Sequence, residues 1–340
     1  MKMIIIFIAY QIKELLKMLR RIISAAAALT LAASAFTGCS APSSNGKLSV
    51  ICTVYPLYDW SCNIIGTDSE NVELTYLLSS GADLHNYQPT AEDIMKISSC
   101  DVFVYVGGES DKWVDSALSN ARNKDMEVVD LMDILGSDLR EEELKEGMQD
   151  TGEEEHGEEE DEIEYDEHIW LSLRNAKKCT AAIADALKKK DSANADTYAE
   201  NAKLYSDRLD ELDEMYTEAT ENAAVRTLIF GDRFPFRYLF DDYGLDYYAA
   251  FKGCSADSEA SFETISFLAK KCDELGAEYV FTIDGSDCNI ANAVVSSTRS
   301  KDQKISTLYS MQSVRMNDKK PAGYCETMRD NLNTLKEALN

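Results

Sequence analysis

Apolar positions fall along this chain in two rhythms: short unbroken runs, and longer stretches with apolar residues three and four apart. The run at 47–60, KLSVICTVYPLYDW, opens as a buried strand and is interrupted by Pro56; SCNIIG continues it into a helical segment ending near Gly66. NVELTYLL (71–78) predicts a second strand, followed by the loop SSGADLHNYQPT (79–90). TAEDIMKISSC (90–100) is an amphipathic helix with Thr90 and Glu92 or Asp93 as its start signals. DVFVYVG (101–107) is a third strand, KWVDSALSNAR (112–122) a helix and MEVVDLM (126–132) a short strand.

The rhythm then changes. From 175 to 223 there is no Gly and no Pro, and Ala, Leu and Tyr recur at helical spacing. This predicts one long helix, or two joined near Asp191, far longer than a crossover between strands requires. Afterwards the alternation resumes: strands at 226–231, 245–251, 277–284 and 304–311, helices at 234–244, 261–276 and 289–298, and a closing helix at 325–338. Buried strands alternating with helices of about ten residues are the mark of parallel sheets in an α/β fold. The expected plan is an N-terminal α/β lobe (47–172), a long linking helix (173–223) and a C-terminal α/β lobe (224–340). A ligand would sit in the cleft between them, at the carboxyl ends of strands.

The 340 residues are 45% hydrophobic and 28% charged, ample for two packed domains. The formal charge of −27, with no basic patch of any size, excludes a nucleic-acid-binding surface and suits a cationic ligand. Residues 1–39 stand apart from the fold. The stretch MLRRIISAAAALTLAASAFTGCS from Met18 has a basic start (Arg20, Arg21), an apolar Ala/Leu body and a small-residue exit, the pattern of a secretory signal. Because Met18 already begins a complete signal, 1–17 reads as sequence upstream of the true start. The exit Phe36-Thr37-Gly38-Cys39 resembles a bacterial lipobox, which implies lipidation of Cys39 and a polar tether at 40–46. A signal cut elsewhere and a membrane anchor are the alternatives. Loss of 1–38, which carries five basic residues and one acidic, takes the chain from −27 to −31.

Nine cysteines occur without any CxxC, so neither a thiolate zinc cluster nor a thioredoxin-like motif is supported. In an exported chain some could pair, with a connectivity that spacing does not give. Only three histidines are present. His85 lies in the Gly/Asp/Asn loop after a strand, where ligand groups gather in an α/β lobe. His168 ends an acidic run in which twelve of the eighteen residues 150–167 are Asp or Glu. Two histidines in loops of one lobe, in a chain this poor in them, point to a metal. No HExxH or two-metal carboxylate cluster accompanies them, so hydrolysis is not indicated. The run lacks EF-hand spacing as well.

YPLYDW, GADLHNYQPT, DVFVYVGG and DEHIWLSLRNAK follow one another in this order. Together they resemble the solute-binding lipoproteins of zinc and manganese ABC importers, in which a Gly-x-x-x-His-x-Tyr-x-Pro motif precedes Asp-x-His-x-Trp-Leu-x-Pro. The resemblance spans essentially the whole chain after the tether, with Leu173 in place of the final Pro. It implies two α/β lobes, a metal site in the inter-lobe cleft, and delivery of Zn2+ or Mn2+ to a permease driven by an ATPase. It implies a monomer on the extracytoplasmic face of the membrane that catalyses no reaction. His85 and His168 take the first two ligand positions. The third falls on Arg233, which has no lone pair to offer a metal, so Asp232 is the substitute. The fourth falls in FTIDGSDCN, on Asp287 with Asp284 as its rival. Asp232 and Asp287 also stand where helix N-caps would. The zinc branch of the family carries a His- and acid-rich loop just before the second histidine motif. The acidic loop at 141–167, with its single His156, corresponds to it and favours zinc. The carboxylates expected at the third and fourth positions favour manganese. An adhesive lipoprotein on the same fold without tight metal binding is the remaining expectation, with Arg233 its main support.

Overall fold

Four strands from each half of the chain assemble into a parallel sheet. The computed structural model describes residues 46–66, 70–149, 163–255, 259–316 and 321–340. Strands β1 (Leu48–Cys52), β2 (Val72–Tyr76), β3 (Val102–Tyr105) and β4 (Glu127–Asp130) lie in the order β2-β1-β3-β4. Strands β5 (Thr227–Phe234), β6 (Asp246–Lys252), β7 (Tyr279–Ile283) and β8 (Lys304–Leu308) repeat that arrangement as β6-β5-β7-β8. The chain is therefore an α/β fold with two sheets of identical topology. In each, the strand order reverses between the two central strands, the position at whose carboxyl edge α/β folds bind ligands.

Successive side chains of a strand face opposite ways, and here both faces are covered. Val50 and Cys52 point into a large buried cluster shared with Trp60, Leu209, Phe230 and Tyr324, which joins the inner faces of both lobes through the helices between them. Ile51 and Phe103 point outward into a smaller cluster with Ile97 and Val114. Ile229 and Val280 do the same in the second lobe, against Leu268 and Val294. The continuous apolar runs were needed because neither face is solvated.

Pro56 does not break the first lobe. It sits in the first turn of helix α1 (Tyr55–Ile65), where its missing N–H removes no helical bond. Thr90 and Asp93 form a reciprocal capping box that starts α2 (Ala91–Ser99). Helix α3 (Trp113–Ser119) follows β3. The strand expected at 126–132 ends at Asp130, whose side chain accepts from Asp133 N and starts α4 (Leu131–Leu135) instead.

The linking span divides at Asp191 into α5 (Leu173–Lys190) and α6 (Ala195–Glu221). Asp191 accepts from Asn194 Nδ2 and Tyr198 Oη, both at 2.7 Å, and so ties the end of one helix to the first turn of the next. The two pack antiparallel, with Arg174 paired to Asp213 and Lys177 to Asp210. Of the two outcomes expected for 173–223, one helix or two joined near Asp191, the second is found, as a hairpin whose longer arm leads into the second lobe. That lobe is completed by α7 (Arg237–Tyr243), α8 (Phe262–Leu275), α9 (Asn289–Ser297) and α10 (Tyr324–Leu339). Helix α10 returns to the first lobe: Tyr324 N donates to Asp59 Oδ2, and Tyr55 Oη donates to Ala322 O.

The stem of the acidic loop is folded as well. Glu142 N donates to Glu164 O and Asp166 N donates to Arg140 O, closing the loop's base as an antiparallel pair. Beyond that base, 143–149 rests on the second lobe: Arg237 pairs with Glu143, and Gln149 N donates to Ala250 O. The 141–167 loop expected as part of the first lobe thus has a structured arm on the second. The signal and lipobox with Cys39, tether residues 40–45, and His156 lie outside the described residues. Among the described residues no helix is long and apolar enough to cross a membrane, and no disulfide joins any of the eight cysteines there.

Candidate metal centre

Local structure delivers His85 first. After β2 the chain turns at Gly81 into a 3-10 turn, Leu84–Asn86, capped by Asp83, whose carboxylate accepts from His85 N at 3.1 Å. The imidazole Nδ1 lies 2.9 Å from Ser110 Oγ, and Ser110 donates in turn to Glu167 at 2.5 Å. Glu167 also accepts from Ser110 N at 2.7 Å. Gly108 makes this approach possible: a Cβ there would stand 2.5 Å from Glu167 Oε1, and its φ of +82° is one that other residues rarely adopt.

His168 is wholly buried. Its backbone N–H and its Nδ1 both meet Asp166 Oδ1, at 2.8 and 3.0 Å. Each ring therefore presents Nδ1 to a carboxylate, through a serine in one case and directly in the other. This is the outer-shell arrangement that fixes a metal-binding tautomer and leaves Nε2 with its lone pair free. The two Nε2 atoms face each other at 3.1 Å. Two imidazoles on one tetrahedral zinc, with Zn–N near 2.05 Å, hold their nitrogens about 3.3 Å apart. Gln312 Oε1, also an acceptor, approaches His168 Nε2 at 2.9 Å, while its Nε2 donates to Asp83 at 3.3 Å. Three groups with lone pairs thus converge, an arrangement that holds a cation, whether a proton on Nε2 or a metal ion among the three.

Electrostatics agree. Burial pushes the His168 imidazole down, but the Asp166 carboxylate, with Glu142 and Gln312 behind it, outweighs burial and raises it above its ordinary value. Burial likewise raises Glu167, yet the bonds from His85 and Ser110 hold it below the usual carboxylate range. The first direction describes a negative field that stabilises positive charge at the His168 imidazole, and the second keeps Glu167 ionised beside the His85 ring.

Of the residues expected to ligate, the structure brings His85 and His168 together. The group of side chains among the described residues that could hold a metal ion is His85, His168 and Cys254, their donor atoms all within 4.8 Å of one another. The carboxylates go elsewhere. Asp232 accepts from Arg233 N at 2.9 Å and Ile283 N at 3.4 Å. Asp287 is exposed and accepts from Asn289 N and Nδ2 in a local turn before α9; the N-cap of that helix is Cys288, so the capping role weighed for Asp287 is not the one it takes. Its rival Asp284 is engaged by Ser310 N and Oγ. All three line an adjoining cleft of about 510 Å³ between the lobes. Arg233 crosses that cleft to pair with Asp83 and donates to Ser255 O at 3.0 Å. Sequence reasoning missed Gln312 and Cys254 because it searched for histidine and carboxylate. Their signal was position, since each follows the carboxyl end of a strand, β8 and β6.

The model of the family described as zinc-uptake complex component A periplasmic matches residues 50–338. The chain belongs to that family. Within this zinc-uptake component family, the high-affinity zinc uptake system protein ZnuA of Bacillus subtilis is 31% identical over 300 residues, covering 88% of this chain and 90% of that protein. The zinc-binding protein AdcA of Streptococcus pyogenes serotype M3 is 28% identical over 297 residues, 86% of this chain but 56% of AdcA. The chain thus spans about half the length of such relatives. Among solved structures, the Zn(II)-bound ZnuA-like domain of Streptococcus pneumoniae AdcA matches with a TM-score of 0.66 and 27% identity over 86% of this chain and 99% of that one. The metal-dependent lipoprotein YcdH of Bacillus subtilis matches with a TM-score of 0.68 and 26% identity, with the same coverage.

Proposed function

We propose that this protein captures Zn2+ between its two lobes and presents it to an ABC permease driven by a cytoplasmic ATPase, without catalysing a reaction. The observation that carries the reading is the pair of imidazoles, Nε2 to Nε2 at 3.1 Å, each with Nδ1 committed to a carboxylate. Imidazole nitrogen suits zinc better than manganese, which prefers oxygen. His85 and His168 are the anchoring ligands, and Gln312 Oε1 adds a neutral oxygen from the second lobe. Asp232 and Asp287 line the cleft by which the ion enters and do not ligate it. Family membership and the zinc-binding relatives support the same cargo. The chain works as a monomer held by lipid on Cys39 to the extracytoplasmic face of the membrane, with 47–172 and 224–340 as its lobes.

Metal analysis and zinc titration of the purified chain, with His85→Ala, His168→Ala and the double variant, test the reading. Wild type is expected to bind one zinc tightly, and the double variant none. Wild-type affinity weaker than about 1 μM, or binding untouched by the double substitution, would sink it.

A further inference from the structure

We propose that Cys254 is a zinc ligand and completes the site as a thiolate; this rests on the reading of the imidazole pair given above. The expected carboxylates leave the site without an anionic donor, since two neutral imidazoles and an amide oxygen offset none of the dication's charge. Cys254 Sγ is the nucleophilic atom that the fold places beside them, within 4.8 Å of the donor nitrogens of both His85 and His168. Around a tetrahedral zinc, with Zn–S about 2.3 Å and Zn–N about 2.05 Å, sulfur and nitrogen are about 3.6 Å apart, so a shift on the order of 1 Å brings the thiol into the shell.

The turn that carries Cys254 is built for this approach. It follows β6 directly and runs against the second histidine. A Cβ on Gly253 would stand 2.8 Å from Phe234 O and 3.2 Å from both Cε1 and Nδ1 of His168, so glycine is what lets the backbone come so near the ring. Cys254 N donates to Glu142 Oε1 at 3.0 Å, and Arg233 donates to the carbonyl of the next residue, Ser255, at 3.0 Å. Arg233, which cannot ligate, thus fastens the chain segment that can. On binding, the S–H bond breaks, a sulfur–zinc bond forms, and one proton leaves to solvent. The donor set becomes two nitrogens, one sulfur and an oxygen from Gln312. Thiolate is a soft ligand, so Cys254 also sets selectivity for zinc against manganese.

Zinc X-ray absorption of the loaded wild-type chain should show a sulfur scatterer at about 2.3 Å. The Co2+ form should show a near-ultraviolet thiolate-to-cobalt charge-transfer band. Cys254→Ser should abolish both features and lower zinc affinity by at least about 10-fold, the lower end of the loss for disturbing a metal shell. Its manganese affinity should be unchanged, and Cys288→Ser should behave as wild type. Absence of sulfur from the wild-type zinc shell, or full zinc affinity in Cys254→Ser, overturns the assignment even if the histidine variants lose zinc. Failure of the wild type to bind zinc overturns the parent reading and this one with it.

Discussion

The two lobes share one topology and differ in what they contribute to the site. Each sheet runs second-first-third-fourth, and each places ligand-side loops at its carboxyl edge. The first lobe and the segment leading into α5 supply histidines locked by carboxylates: His85 through Ser110 and Glu167, His168 through Asp166. The second lobe supplies Gln312 and Cys254, with Arg233 bridging back to Asp83. Both lobes carry an acid after the third strand, Asp111 buried and Asp284 partly exposed at the cleft, and their environments differ. Asp111 accepts from Val106 N and Gly107 N through one oxygen, while its other oxygen has no hydrogen-bond partner. Asp284 is engaged by both groups of Ser310. A duplicated scaffold thus carries unlike chemistry because the sheets dictate only where loops emerge, and the loops decide which donors arrive.

The sharpest way to break this comparison is to remove the histidines. If they anchor the ion, His85→Ala and His168→Ala should each lower zinc affinity by about 3 kcal/mol, on the order of 100-fold, measured by competition with a chelator. Equal losses from Gln312→Ala would show that the lobes share the work evenly and would refute the division drawn here.

The unequal acids come next. Burial pushes Asp111 up to about 7, so it is protonated in the folded protein across a range where the unfolded chain has released that proton. A raised acid favours folding fully below its unfolded pKa, near 3.9, and that contribution is lost as pH rises through the folded value. Metal-free protein should therefore lose stability, on the order of 3 kcal/mol, between about pH 4 and 7. Asp111→Asn should flatten that slope in melting curves taken across the range; an unchanged slope would place the buried proton elsewhere.

Glu167→Gln and Asp166→Asn keep shape but weaken the hold on Nδ1. Each should cost about 10- to 100-fold in zinc affinity with little change in fold. Arg233→Met is expected to do less to affinity and more to the joint between the lobes. It leaves Asp83 without its cation at a site under one-fifth exposed, a loss of about 1–2 kcal/mol in unfolding free energy. The smallest effect belongs to the acidic loop. Deleting 153–160 preserves the Glu142–Glu164 base and should slow zinc loading in stopped-flow while leaving equilibrium affinity within about 10-fold. Abolished binding would mean that the loop carries ligands.

Much of this was readable from residue order, and the reasons are local. Strands buried on both faces appear as unbroken apolar runs, such as VFVY in β3. Helix starts carry their own caps, as at Thr90, although the cap at Asp130 was hidden by a strand read through 126–132. The histidines stood out because the chain has three, and their flanking motifs placed them in loops. The division at Asp191 was readable as one of two outcomes, since its cap is local but the antiparallel packing of α5 on α6 is not. What sequence could not decide was which distant loops meet. Gln312 is 144 residues from His168, Cys254 lies on another strand end, and Arg233 reaches 150 residues back to Asp83. Asp232 and Asp287 have the chemistry of ligands, but in this structure they accept from backbone N–H groups, of Arg233 and Ile283 for the one and of Asn289 for the other. Amide and thiol became candidates only when the two sheets brought their carboxyl edges together. Short-range propensity determines the elements, whereas a metal site depends on angstrom-scale convergence of residues that only tertiary packing makes neighbours.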